Sequence, residues 1–231
     1  PVILILLEEL INSGIEEICL VLGSDEERKQ YADFFERPLP SEHLSKLNSQ
    51  CREYERKISA IGKRLHYVYQ KEKRGFGHAV YQASGFAGAE PVLLLLGDTI
   101  YKSNTNKPCA LQLIEEYEKY NNLIVSIHDV PLVDVSRYGI LTGVWEDKKD
   151  KVLNVSMMTE KPKASYAEEH LGVVDSDNEK KYFSVFGQYI LTPEVFEQLA
   201  SDIATADSEN STREIELTSA LEAVRQRSGM I

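Results

Sequence analysis

The sequence lacks the features that mark several classes of protein. It has only three cysteines in 231 residues, Cys19, Cys51 and Cys109, and their odd number and wide spacing argue against a disulfide framework or a zinc site. No apolar run approaches the roughly 20 residues of a membrane span. The first residues show no basic segment or cleavage site of a signal peptide. These absences predict a cytoplasmic protein with no membrane partner.

An excess of basic residues is also missing. The chain has 26 Lys and Arg against 37 Asp and Glu, a formal net charge of −11. The longest basic cluster, 71–74, includes an acid. Since nucleic-acid binders need a basic face, the charge argues against a nucleic-acid partner. The composition, with 42% hydrophobic and 27% charged residues, is typical of a folded globular protein.

Both ends of the sequence resemble cut ends. The chain starts without Met in an apolar stretch, 2–7, and stops at 229–231 in what resembles the entry to another strand. Natural termini are usually polar and frayed. We therefore expect a fragment of a longer protein.

Helical and strand patterns alternate through about the first 130 residues. Helices are predicted at 2–12, 25–35, 41–63, 77–85 and 110–120, and strands at 18–22, 65–70, 91–97 and 123–130. This rhythm predicts the α/β class, with a Rossmann-like, mostly parallel mixed sheet flanked by helices.

The rest of the chain is richer in strand patterns. We predict a hairpin of 139–145 and 152–158 around a turn at 146–150, a strand at 183–191, helices at 194–201 and 214–227, and a polar loop at 203–212. With no clear linker, the sequence predicts one α/β domain, 1–231, with a β-rich part.

Chemically suggestive residues follow three predicted strands. Asp98 leaves the strand 91–97, where a carboxylate suits a hard cation such as Mg²⁺; the alternative is an Asp that caps the next turn. Gln70 precedes a glycine-rich turn with Gly75 before a helix, a place suited to anions and to a base edge; the alternative is an ordinary turn. Glu160 and Lys161 suit a sugar phosphate, against the alternative of a solvated turn.

Two histidines are candidate acid–base groups. His78 lies in the predicted helix 77–85 and His128 in the strand 123–130, positions where a structural histidine is the alternative. No Ser or Cys lies in a recognisable nucleophile motif.

Taken in order, seven short stretches resemble the sugar-phosphate nucleotidyltransferases, and most closely their bacterial uridylyl branch. They are EELINSGIEEICLVLG (8–23), GFGHAVYQA (75–83), LGD (96–98), YGI (138–140), EKPKA (160–164), GQYILTP (187–193) and EIELTSAL (214–221). GFGHA and EKPKA best separate this branch from thymidylyl and adenylyl relatives.

The resemblance implies a role for each matching residue. Gln70 and Gly75 match positions that contact the pyrimidine, and Asp98 matches the aspartate that binds Mg²⁺. The family positions that contact the sugar and its phosphate correspond to Gly139, Glu160 and Lys161. Asp98 and Lys161 would then be the catalytic residues. The implied nucleotide-binding half is 1–130, and the sugar-phosphate half is 131–231.

The sequence departs from this family in two places. The glycine-rich signature loop that cradles the triphosphate would lie before the first residue. Ser219 stands where the family often has Asp, which puts a second metal ligand in doubt.

The implied reaction transfers a uridylyl group from UTP to glucose 1-phosphate, giving UDP-glucose and pyrophosphate. One alternative is a sibling that uses dTTP or another nucleoside triphosphate; another is a catalytically silent fragment. The implied partners are these small substrates, with a homo-oligomer left open.

Overall fold

The computed structural model describes residues 2–37, 39–147, 152–176 and 178–231. The α-helices are α1 (Val2–Asn12), α2 (Asp25–Phe35), α3 (Ser41–Lys46), α4 (Ser49–Gly62), α5 (Phe76–Tyr81), α6 (Ser84–Ala87), α7 (Cys109–Tyr120), α8 (Ala164–His170), α9 (Pro193–Ser208) and α10 (Leu217–Ser228). The strands are β1 (Ile18–Leu22), β2 (Leu65–Tyr69), β3 (Val92–Leu95), β4 (Ile124–Val130), β5 (Gly139–Asp147), β6 (Val152–Glu160), β7 (Val173–Val174) and β8 (Lys180–Leu191). A 3₁₀ helix covers Leu132–Arg137. Within the described ranges, no helix combines the length and apolarity needed to cross a membrane.

The strands form a mixed arrangement, as the predicted α/β class requires. β1 and β2 pair in parallel, whereas β8 pairs antiparallel with β3, β4, β5 and β7. Ile190 of β8 pairs with Leu93 of β3 and also with Ile124 of β4, so β8 lies between these two strands. β3 and β4 therefore run in the same direction, but each is hydrogen-bonded to β8 and not to the other. The chain has less parallel pairing than predicted, because β8 arrives from late in the sequence and enters between them.

Two predicted segment boundaries are wrong. The single helix predicted at 41–63 is broken at Leu47, whose backbone is extended, and Asn48 caps α4 by accepting a hydrogen bond from the Cys51 N–H at 2.8 Å. The polar loop predicted at 203–212 is helical as far as Ser208, because α9 continues with Ala206 buried against the core.

Most other predicted elements are confirmed within a few residues. The helix predicted at 77–85 is the exception, because it divides into α5 and α6. The predicted hairpin is present as the antiparallel pair β5–β6. Of its predicted turn, residues 148–150 lie outside the described residues.

The main hydrophobic core packs α9 and α10 against the larger sheet. Its fully buried members include Leu199 of α9, Leu221 and Val224 of α10, and Leu141 of β5. A second hydrophobic cluster is formed where α1, β1, α2 and α4 pack together. Its buried members are Leu7, Leu10, Ile18, Phe35 and Ile61. The start of α10 is thus fixed next to the β5–β6 hairpin by burial of the helix's apolar face.

The chain leaving β3 is fastened to β8 by Tyr101. The phenol donates a hydrogen bond to the Gly187 carbonyl at 2.8 Å and accepts one from the Leu96 N–H at 3.3 Å. Burial raises the pKa of Tyr101 above its ordinary value, which extends the range of alkaline pH over which the hydroxyl stays protonated. Gly187 has φ +82°, and a Cβ there would lie 2.8 Å from Leu96 Cδ1 and 2.9 Å from the Tyr101 hydroxyl. The position of Asp98, two residues after Leu96, depends on this contact.

We expect Tyr101→Phe to lower the free energy of unfolding by about 1 kcal/mol, the usual net contribution of a buried hydrogen bond. Urea denaturation measures the change. Tyr54→Phe is the matched control, because the Tyr54 side chain is exposed. Equal stability of the two variants would contradict the anchoring role.

Candidate functional site

Gln70 lies where the parallel pair β1–β2 ends. Its N–H donates to the Leu22 carbonyl at 2.8 Å, which continues the ladder by one residue. Its side-chain Nε2 donates to the Gly75 carbonyl at 3.0 Å and lies 3.1 Å from His78 Nδ1. Gln70 Oε1 makes no hydrogen bond to any residue that the structure describes. The amide therefore has its nitrogen held by the protein and its oxygen free for a ligand.

Gly75 occupies a position that only glycine fits. Its φ is +101°, and a Cβ would lie 2.7 Å from the Ile215 carbonyl oxygen. Ile215 is paired with this loop through its backbone: its N–H donates to the Arg74 carbonyl, and its carbonyl accepts from the Gly77 N–H, each at 2.8 Å. The Gly77 amide at the start of α5 therefore already has its acceptor within the protein.

Asp98 lies just beyond β3, and its residue is exposed. Its Oδ1 accepts a hydrogen bond from the Thr99 hydroxyl at 3.3 Å, and in the described part of the chain it caps no backbone N–H. The alternative of a turn-capping Asp is therefore not what the structure shows. Among the described residues, no group of three or more His, Cys, Asp and Glu side chains could hold a metal. Asp98 is available as a single carboxylate.

A cavity of about 680 Å³ connects two of these places. It lies between β1 and β3, and its lining includes Gln70 and also Gly97, the neighbour of Asp98. The structure thus brings Gln70 and the strand end that carries Asp98 to one cavity.

Glu160 ends β6 opposite Gly139, the first residue of β5. Its Oε2 accepts a hydrogen bond from the Thr218 hydroxyl at 2.7 Å, and its Oε1 lies 3.4 Å from Lys161 Nζ. A Cβ on Gly139 would lie 3.1 Å from Glu160 Oε2 and 3.5 Å from Thr218 Oγ1. Glycine therefore leaves space beside the carboxylate, and the structure unites the three residues predicted for the sugar phosphate.

Lys161 projects its ammonium group into solvent. Its side chain is 62% exposed, compared with 26% for Glu160. The backbone has φ +44°, in the left-handed region, and the N–H donates to the Tyr138 carbonyl at 2.9 Å. An exposed ion pair of this kind contributes little to stability, so the ammonium can turn toward an anionic ligand at small cost.

The start of α10 joins the two groups of residues. Ile215 contacts the Gly75 loop and Thr218 contacts Glu160. Three residues of chain span at most about 11 Å. The residues predicted for the nucleotide and for the sugar phosphate therefore meet at the segment 215–218.

Sequence reasoning missed Thr218 and gave His78 a different role. Thr218 lies within the stretch EIELTSAL, whose resemblance was noted without a role for the hydroxyl. His78 is a hydrogen-bond partner of Gln70. The other acid–base candidate, His128, lies in β4 with its ring packed 5.1 Å from the Phe186 ring.

Comparisons with known proteins place the chain in a family. The family model described as nucleotidyl transferase matches residues 1–230. The chain is 32% identical over 227 residues to UTP–glucose-1-phosphate uridylyltransferase 2 of Staphylococcus saprophyticus, covering 98% of this chain and 71% of that protein. It is also 32% identical over 231 residues to UTP–glucose-1-phosphate uridylyltransferase of Bacillus subtilis, covering 98% of this chain and 70% of that protein.

Solved structures agree with the sequence relatives. The crystal structure of UDP-glucose pyrophosphorylase complexed with UDP-glucose matches with a TM-score of 0.72 and 26% identity, over 99% of this chain and 76% of that one. The apo form of a UDP-glucose pyrophosphorylase matches with a TM-score of 0.75 and 28% identity, over 100% of this chain and 77% of that one. The chain therefore belongs to the nucleotidyl transferase family and is a nucleotidyltransferase with the fold of the UDP-glucose pyrophosphorylases.

Proposed function

We propose that the protein transfers a uridylyl group from UTP to glucose 1-phosphate, giving UDP-glucose and pyrophosphate. The observation that carries the proposal is the meeting of the Gln70–Gly75 loop and the Glu160–Lys161 pair at the start of α10. The names of the relatives support the choice of substrates. The three free cysteines support a cytosolic location, and a homo-oligomer stays an open proposal.

Each side of the site suits one substrate. The free Gln70 Oε1 can accept a hydrogen bond from a base, and Gly75 lets the loop that holds the Gln70 amide pack against the Ile215 backbone. On the other side, Glu160 can accept hydrogen bonds from sugar hydroxyls, while Lys161 can offset the charge of the sugar phosphate.

The reaction needs little proton chemistry. A phosphate oxygen of glucose 1-phosphate attacks the α-phosphorus of UTP, and the bond from that phosphorus to the oxygen bridging to the β-phosphate breaks, releasing pyrophosphate. Holding the reactants in line and neutralising charge therefore supply most of the acceleration. The residues described here contribute by fixing the base and the sugar phosphate on opposite sides of the bond that forms.

The donor set of Asp98 fits magnesium. Mg²⁺ is commonly held by one or two carboxylates together with substrate phosphates and water, which agrees with a single exposed carboxylate at the end of a strand. When bound there, Mg²⁺ would reduce the negative charge of the phosphates.

Pyrophosphate release tests the proposal directly. With glucose 1-phosphate and Mg²⁺ present, we expect faster release from UTP than from dTTP or ATP, and calorimetry should detect binding of UDP-glucose. Preference for dTTP or ATP would favour a sibling activity, whereas binding without release would favour a catalytically silent chain.

We expect Asp98→Asn to lower kcat by roughly 10²–10³-fold, because the amide lacks the charge that attracts the cation. The fold should be unchanged by circular dichroism. Glu118→Gln, on the exposed face of α7, is the matched control. Near-normal turnover of Asp98→Asn would remove Asp98 from the metal role.

We expect Thr218→Val to raise KM for glucose 1-phosphate roughly tenfold, because the Glu160 carboxylate loses a hydrogen bond that orients it. KM for UTP should stay the same, as measured by initial rates with each substrate varied. Thr218→Ser retains the hydroxyl and should restore the wild-type value. An equal rise of both KM values would show a general loss of structure instead.

A further inference from the structure

His78 lies between two side-chain amides. Its Nδ1 is 3.1 Å from Gln70 Nε2, and its Nε2 is 3.3 Å from Gln82 Nε2. Backbone carbonyls identify both amide nitrogens: Gln70 Nε2 donates to the Gly75 carbonyl at 3.0 Å, and Gln82 Nε2 donates to the His78 carbonyl at 3.1 Å. Each ring nitrogen therefore faces an N–H donor.

The contact with Gln70 requires an uncharged ring, because the Gln70 Nε2–H needs an acceptor at Nδ1. A neutral imidazole has one acceptor nitrogen, and an imidazolium has none. Gln70 Nε2 then has its acceptor at Nδ1 and the ring proton lies on Nε2, while Gln82 Nε2 has an acceptor of its own in the His78 carbonyl. His78 and the Gly75 carbonyl then hold both N–H groups of the Gln70 amide, which leaves Oε1 facing the ligand.

We propose that His78 is a positioning residue that fixes the direction of the Gln70 amide, so that the site selects a pyrimidine with an N–H at position 3 over one with a bare nitrogen there. The inference rests on the proposed nucleotide function and extends it to base selection. Uracil presents an N3–H donor to Gln70 Oε1, whereas cytosine presents an acceptor. A site that offers an acceptor rejects the second base because two lone pairs would face each other.

Burial of His78 favours the same state. It lowers the pKa of His78, as does the charge of Arg74, and together they outweigh the charge of Glu72, a hydrogen bond to the Glu72 backbone and the charge of Asp207, which all raise it. Arg74 is itself paired with Asp207 of α9 at 2.6 Å. Protonation in acid would replace the Nδ1 acceptor by a donor and repel the Gln70 Nε2–H. Because the pKa is lowered, the neutral ring persists through neutral pH and is lost only in acid solution.

Binding of UDP-glucose and CDP-glucose by calorimetry tests the inference. We expect wild-type protein to prefer UDP-glucose, and His78→Leu to reduce that preference roughly tenfold, chiefly through weaker UDP-glucose binding. His78→Asn should retain the preference, because Asn can place Oδ1 close to the position of Nδ1. His43→Leu, at an exposed site on α3, is the matched control.

A pH series separates positioning from a general structural role. UDP-glucose has no terminal phosphate to titrate, so its affinity between about pH 5 and 8 follows protein groups. Wild-type affinity should fall toward the acid end, and His78→Asn should abolish the fall.

A wild-type preference left unchanged in His78→Leu, or an equal acid effect in His78→Asn, would overturn the role of His78 while leaving the proposed function intact. Failure of wild-type protein to bind either nucleotide sugar would overturn both.

Discussion

The site depends on the backbone pairing between Ile215 and the loop that follows β2. Two hydrogen bonds of 2.8 Å join Ile215 to Arg74 and Gly77, and they form only because Gly75 has no Cβ to strike the Ile215 carbonyl. Backbone groups buried in such a contact must be paired, so the interaction is strongly specified. It brings the residues that face a base next to the helix that carries Thr218, and hence next to Glu160.

Local patterns predicted the local structure well. The helix α2 has the predicted bounds Asp25–Phe35, with Ser24 accepting from the Glu27 N–H at 3.2 Å, and β1 has the predicted bounds Ile18–Leu22. The errors came where tertiary contacts decide. Polar residues near 203–208 suggested a loop, yet Ala206 is buried and the helix continues. The entry of β8 between β3 and β4 joins residues about 50 to 100 positions apart, which no local periodicity can reveal.

The same distinction applies to the site. Gly139, Glu160 and Lys161 were named from short motifs, and the hairpin brings them together. Thr218 was missed as a partner of Glu160 because the two are 58 residues apart in sequence. His78 was noticed as a titratable group, but its relation to Gln70 requires knowing that the loop folds back onto α5. Residue types can be read from sequence, whereas the partner that orients each one depends on the fold.

One stretch of β8 supports both sides of the site. Its residue Ser184 pairs with Ile140, next to Gly139, and Gly187 holds Leu96 and Tyr101, which lie on either side of Asp98 in the chain. Only two residues, Val185 and Phe186, lie between these two attachments. Inserting or deleting a residue between them would shift one attachment relative to the other and turn the intervening side chains to opposite faces. This part of β8 therefore has little tolerance for changes in length, and it acts as a fixed spacer between the carboxylate of Asp98 and the hairpin that carries Glu160.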